Sequence, residues 1–160
     1  MDNINIYIMT TNKTPRAIPT AGEYIIEVIH EGTLTTFPPQ NKSTLLKEVT
    51  TGRVMVNKLL CNALFMLKKL SGIEYENIRV VIEPYTNAMP LLHKWLDKWQ
   101  QDKWIDSKGN ALDKTYITAY EWIQKSKPIT FETGHHSYSD VMMRDLEKYS
   151  HIEMAYGGKT

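Results

Sequence analysis

The chain has 160 residues, 42% apolar and 23% charged, the mix of one globular domain with a real core and too short for two comfortable ones. Its 19 Lys and Arg stand against 18 Asp and Glu, a formal net charge of +1. No bulk field draws such a chain onto nucleic acid or an anionic membrane, so any binding of that kind must come from a local patch.

A single cysteine, Cys61, excludes an internal disulfide and sits in a long apolar segment, where free Cys acts as a small hydrophobe. No apolar run approaches the length of a membrane span. Met1-Asp2-Asn3 lacks the basic-then-apolar layout of a secretion signal. These features set the expectation of a soluble intracellular, cytoplasmic protein without a membrane partner.

In chain order, "INIYIM" (4–9) is β-branched and aromatic and reads as a strand. "TTNKTPRAIPTAG" (10–22) is turn-rich, holds two prolines and reads as a loop. "EYIIEVIHEGTLTTF" (23–37) reads as a hairpin about Glu31-Gly32, closed by Pro38-Pro39. From Arg53 to Leu70 apolar residues recur at Val56, Leu59, Leu60, Ala63, Leu64 and Leu67, the spacing of one helix face. Thr50 or Thr51 suits its N-cap and Gly72 its C-cap.

"IRVVI" (78–82) is a continuous apolar run bounded by Pro84, the pattern of a central strand buried on both faces. Helices are expected at 87–101 and 113–125, split by "DSKGN", with Asp113 as a cap for the second. "ITFE" (129–132) is a short strand, "TGHHSYS" a loop, and a last helix runs from Asp140 to about Glu153. The domain is then 1–153, and 154–160 reads as a flexible C-terminal tail. The expected class is α/β: a five-stranded mixed sheet, the first three strands antiparallel and the last two reached by parallel crossovers, with helices on both faces.

That order, with a Trp-rich helical stretch between the fourth and fifth strands, resembles type 1 ribonuclease H from about Asn3 to Tyr149. Its most specific part is "KWLDKWQQDKW" (94–104), in which Trp95, Trp99 and Trp104 have the spacing of the family's basic protrusion. Gly134-His135 fall on the family's Gly-His loop, and Asp145 on the catalytic Asp of the last helix. "TTGR" (50–53) is similar to the Thr-Asn-Asn-Arg that opens the family's long helix.

The resemblance implies the ribonuclease H-like fold and cleavage of RNA in RNA–DNA hybrids by two divalent metals, which want hard oxygen ligands. The family supplies four carboxylates for them. Three of those positions fall here on Met9, Met55 and Pro84, leaving Asp145. A thioether does not replace a carboxylate toward Mg²⁺, so Met9 and Met55 are expected to fill the former site with apolar bulk. Glu83 is the one substitute, with Asp145 and Asp140, and only if the following loop absorbs a one-residue slip. His135 matches the family's loop histidine and is a catalytic candidate only beside a metal; His135-His136 alone is a weak metal signal.

Trp95 and Trp99 share a helix face and Trp104 lies half a turn away, so the three cannot form one stacking platform. They are expected to pack against the fold, Trp95 and Trp99 on the sheet and Trp104 on a second small core beyond a kink. Lys94, Lys98 and Lys103 are placed to contact phosphates, with Asp97 and Asp102 weakening their field. Thr51 and Arg53 match a family site for a phosphate of the DNA strand, and a helix N-terminus favours anions; a helix cap with an Arg–Asp pair explains them equally well. No Gly-rich phosphate loop, G-x-S-x-G, H-E-x-x-H or C-x-x-C is present.

Two functions from different classes follow. One is a catalytically degenerate domain that keeps weak binding to the backbone of an RNA–DNA hybrid, or serves a protein partner, through Thr51, Arg53, Lys94, Trp95, Lys98, Trp99, Lys103 and Trp104. No metal cofactor is then expected. The other is an active ribonuclease H with a rearranged centre on Glu83, Asp145 and His135, which would need Mg²⁺ or Mn²⁺.

Overall fold

The computed structural model describes the backbone of residues 2–37, 45–70 and 73–157, and the side chains of these as far as 148. Pro38-Pro39 and Gly72, expected to end the hairpin and the long helix, lie outside the described residues. The strands are β1 (Asp2–Thr10), β2 (Ile18–His30), β3 (Thr33–Phe37), β4 (Leu46–Thr50), β5 (Tyr75–Glu83) and β6 (Ile129–Thr133). The helices are α1 (Gly52–Lys69), α2 (Tyr85–Leu92), α3 (Trp95–Gln101), α4 (Lys114–Ser126) and α5 (Ser139–Gly157).

The strand order is β3-β2-β1-β5-β6, antiparallel through the first three and parallel from β1 to β5 to β6, with β4 pairing the first part of β2. The mixed α/β sheet matches expectation, with a sixth strand added. The expected loop at 10–22 is shorter than proposed. Ile18–Gly22 continue β2 and pair with Leu46–Thr50, so each stretch supplies the hydrogen bonds the other lacks. The hairpin turns at Glu31 (φ 48°) and Gly32 (φ 80°), both in the left-handed region that a two-residue turn of this twist demands.

Period-two alternation divides the sheet into two faces. Ile4, Ile6 and Ile8 of β1, Tyr24, Ile26 and Val28 of β2, and Ile78, Val80 and Ile82 of β5 pack under Met55, Val56, Leu59, Leu60, Ala63 and Leu64 of α1, the main core. On the opposite face Tyr7, Met9, Ala21 and Val81 meet Met142 and Leu146 of α5. Helices thus cover both faces. No helix among the described residues is long and apolar enough to cross a membrane.

Thr51 caps α1, its hydroxyl accepting from the Val54 amide at 3.2 Å, and Asp113 caps α4, accepting from the Thr115 amide at 2.9 Å. The single helix expected at 87–101 is two. The chain breaks at His93-Lys94, where Lys94 adopts φ 56°, and α2 carries Pro90. The last helix continues past Glu153 to Gly157, so part of the expected tail is helical backbone. Burial raises the Cys61 thiol to about 12, so it stays protonated and packs as a hydrophobe.

Candidate nucleic-acid interface and the carboxylate face

A closed polar joint ties the end of β1 to the starts of α1 and α2. The Asn12 amide donates to the carbonyls of Thr50 (3.1 Å) and Arg16 (2.8 Å), and the Thr20 hydroxyl donates to Thr50 at 2.9 Å. Asn87 of α2 donates to the Thr10 hydroxyl at 2.7 Å and to the Asn12 carbonyl. Asn12, Thr20 and Asn87 are buried, and every contact named satisfies a group that would otherwise lose its water. Gly52 is required here: a Cβ would lie 2.1 Å from the Asn12 carbonyl oxygen and 2.2 Å from the Asn87 amide nitrogen.

This joint aims the first turn of α1. The Arg53 guanidinium donates from Nε to the Thr86 carbonyl at 3.3 Å and lies over the Trp95 ring, 5.1 Å from its centroid. No Arg–Asp pair forms at this helix start among the described residues; the cation rests on an aromatic face instead. His93 stacks on Trp95 (6.3 Å, 27°) and Trp95 meets Trp99 edge to face at 5.8 Å. Lys94, Lys98 and Lys103, on and beside α3, are exposed, as are Lys13 and Arg16 on the loop the joint holds.

The tryptophans differ in part from expectation. Trp99 rests on α4, edge to face with Tyr116 (5.0 Å), rather than on the sheet, and Trp104 meets Tyr120 of the same helix (5.5 Å) rather than closing a second core. Both remain half-buried against the main core. Lys103 and Trp104 have φ 58° and 63°, the kink that turns Trp104 inward. Among the described residues, Trp95 is the one of the three that lies under a cation. Thr51 spends its hydroxyl on the helix cap, so its contribution to an anion site is the free amides of the first turn.

The other face of the sheet carries the acids. Met9 is 4% exposed in the α5-side cluster and Met55 fully buried in the α1-side cluster. They lie on opposite faces and do not fill one cavity together. Pro84 caps α2 at the end of β5. Glu83 shares the α5 face, its Oε2 accepting from the Ser139 hydroxyl at 2.8 Å. Asp145 lies against Glu23 of β2, the residue beside Met9 in the ladder, and Glu23 Oε2 is buried with no hydrogen-bond partner among the described residues. Burial first, and then the neighbouring Asp145 carboxylate, raise Glu23 to about 8, so the pair holds a proton at neutral pH.

His135 points to solvent, 64% exposed, with Nε2 3.6 Å from Asp140, itself 80% exposed. Its neighbour His136 is the inward one. It packs on Tyr7 at 4.5 Å, its Nδ1 accepts from the Tyr138 amide, and burial lowers its pKa, keeping the imidazole neutral. Glu27 is buried and accepts from Asn5 (2.8 Å), Tyr138 (2.6 Å) and Tyr7 (3.4 Å).

Two hard divalent cations do not fit this donor set. The carboxylates are held separately, Glu83 by Ser139, Asp145 by Glu23, and Glu27 by three donors. Among the described residues no group of three or more His, Cys, Asp or Glu is placed to hold a metal. Glu23, Glu27, His136, Asn12 and Asn87 were not singled out from sequence. Glu23 and Glu27 left a trace there, acids at two positions of one strand face between the apolar residues of the other.

No protein-family model and no curated protein sequence matches the chain. Solved structures do, and with the topology above they define the class: the chain has the ribonuclease H-like fold. LC9-RNase H1, described as a type 1 RNase H with the type 2 active-site motif, aligns with 98% of this chain and 73% of its own at TM-score 0.65 and 13% identity. The RNase H domain of prototype foamy virus aligns over 92% of both chains at 0.55 and 12%. A foamy viral protease–reverse transcriptase solved in complex with an RNA/DNA hybrid aligns with 89% of this chain and 19% of that larger one at 0.64 and 11%.

Proposed function

We propose that this chain is a ribonuclease H-fold module that grips the backbone of an RNA–DNA hybrid without cutting it. The observation that carries the reading is Arg53, fixed between the Thr86 carbonyl and the Trp95 ring at a helix start, with Lys94 and Lys98 exposed on the segment that carries Trp95. A cation already immobilised loses little entropy on meeting a phosphate, and first-turn amides add to its pull. Support also comes from the foamy viral structure of the same fold, which holds a hybrid. The acids favour binding over cleavage, because Met9 and Met55 are buried and Asp145 is engaged by Glu23.

An active enzyme with a rearranged centre is the second reading, favoured by one observation: Glu23, Glu83 and Asp145 all reach the α5 face. One experiment separates the two. An end-labelled hybrid is incubated with Mg²⁺, and separately with Mn²⁺, beside Asp145→Asn and Glu83→Gln variants, and mobility shift is read at low salt. The expected result is no cleavage above the variants, with a shift that Arg53→Ala weakens about tenfold, the loss of one charge-assisted contact. Cleavage abolished by either acid variant would establish the enzyme. An unshifted hybrid would end the binding reading.

A further inference from the structure

We infer that the open edge of β6 and the groove beside it form a docking site for an extended peptide with alternating apolar side chains and an acidic end. The inference does not rest on nucleic-acid binding or on the carboxylate face, although Lys94 belongs both to this rim and to the basic stretch after α2.

β6 is the last strand of the sheet, and no described strand pairs its outer side. The Ile78 amide donates to the Pro128 carbonyl at 3.1 Å, and the ladder aligns Ile78 with Ile129. Parallel alternation then turns the amides and carbonyls of Thr130 and Glu132 toward β5, and those of Ile129 and Phe131 outward. A row of unpaired backbone groups is a template for another strand.

Such an edge can be blunted by charge or cover. Here it opens onto a groove of about 350 Å³ instead. Its apolar lining includes Leu92 and Leu96 from α2 and α3, Tyr120 and Ile123 from α4, and Ile129 and Phe131 from β6 itself. Ile129 and Phe131 point to the same sheet face as α4, so an added strand would send every second side chain into the groove. The others would lie over Thr130 and Glu132, which are exposed. Edge and groove therefore ask for the same object, a strand with apolar residues at alternate positions, the pattern of β-augmentation.

The rim sets the charge. Lys94 and Lys127 line the groove against one acid, Asp97, and neither lysine has an ion-pair partner among the described residues. Glu132, the acid on the strand itself, is already paired with Arg79. An acidic residue at the end of the peptide meets a rim with two lysines against one acid.

The test uses the full chain, isotope-labelled, and the peptide acetyl-Asp-Val-Thr-Val-Thr-Val-Asp-amide, which reads alike in either strand direction. Titration should shift the amide signals of Ile129 and Phe131 more than those of Thr130 and Glu132. Methylating alternate peptide nitrogens on the pairing side should weaken binding about tenfold or more, because it removes strand hydrogen bonds while keeping the side chains. Lys127→Glu should weaken it several-fold. Equal binding by the methylated peptide, shifts confined to another surface, or no shift at millimolar peptide would overturn the inference. Arg53→Ala, which weakens hybrid binding, should leave peptide binding unchanged, so the two readings fail separately.

Discussion

Glu23 is the residue whose environment departs most from its sequence context. It faces Asp145 across the gap between β2 and α5, and its carboxyl is raised from 4.5 to about 8. Between those values the folded chain holds a proton that the unfolded chain has released, so stability falls as pH rises through that window. The contribution is present in full below about pH 4.5 and gone above about pH 8. Glu23 as a whole is only part-buried, although its Oε2 is closed to solvent, so we expect a loss of about 1–2 kcal/mol rather than the full value of the shift. Glu23→Gln keeps the shape of the side chain and removes the titration. Urea midpoints at about pH 5 and about pH 9 should differ for the natural chain and converge for the variant. Equal pH dependence in both would show that the proton lies elsewhere.

At the level of elements, the polar joint makes α1 inseparable from β1, β4 and α2. Gly52→Ala places a methyl against the Asn12 backbone and the Asn87 amide, neither of which can move without breaking its own bonds. We expect about 2–3 kcal/mol of destabilisation, the cost of overpacking a rigid site, and weaker hybrid binding as Arg53 shifts with its helix turn. Chemical denaturation measures the first effect and mobility shift the second; an unchanged midpoint would mean the joint yields more easily than its bonds suggest.

Sequence patterns reached the elements with strong periodicity. α1, β5 and the hairpin were legible because burial repeats at 3.6 or 2 residues, and Asp113 because a cap is a local device. β4 was not, since "LKEVT" carries two charges and Val49 is 69% exposed; only its pairing with β2 makes it a strand. The break at Lys94 was hidden as well, because nothing in "LLHKWL" marks a left-handed residue. The same limit applied to the site. Arg53, Trp95 and Asp145 could be picked out through the resemblance to ribonuclease H, whereas the pairing of Asp145 with Glu23 spans β2 and α5 and has no signature along the chain.

For the whole molecule the deciding quantity is charge distribution. A formal net charge of +1 gives little long-range attraction to a polyanion, so whatever binding occurs must be carried by contacts at one patch. If Arg53, Lys94 and Lys98 each neutralise one phosphate, the logarithm of affinity should fall with the logarithm of salt at a slope of about −2 to −3. Arg53→Ala should then lower affinity and flatten that slope by about one, while Lys125→Ala, on the far end of α4 beside Trp122, should change neither. The two variants remove the same formal charge, so any difference between them reports place rather than total. A slope that both variants flatten equally would mean that the hybrid senses only net charge, and the patch at Arg53 would lose its special standing.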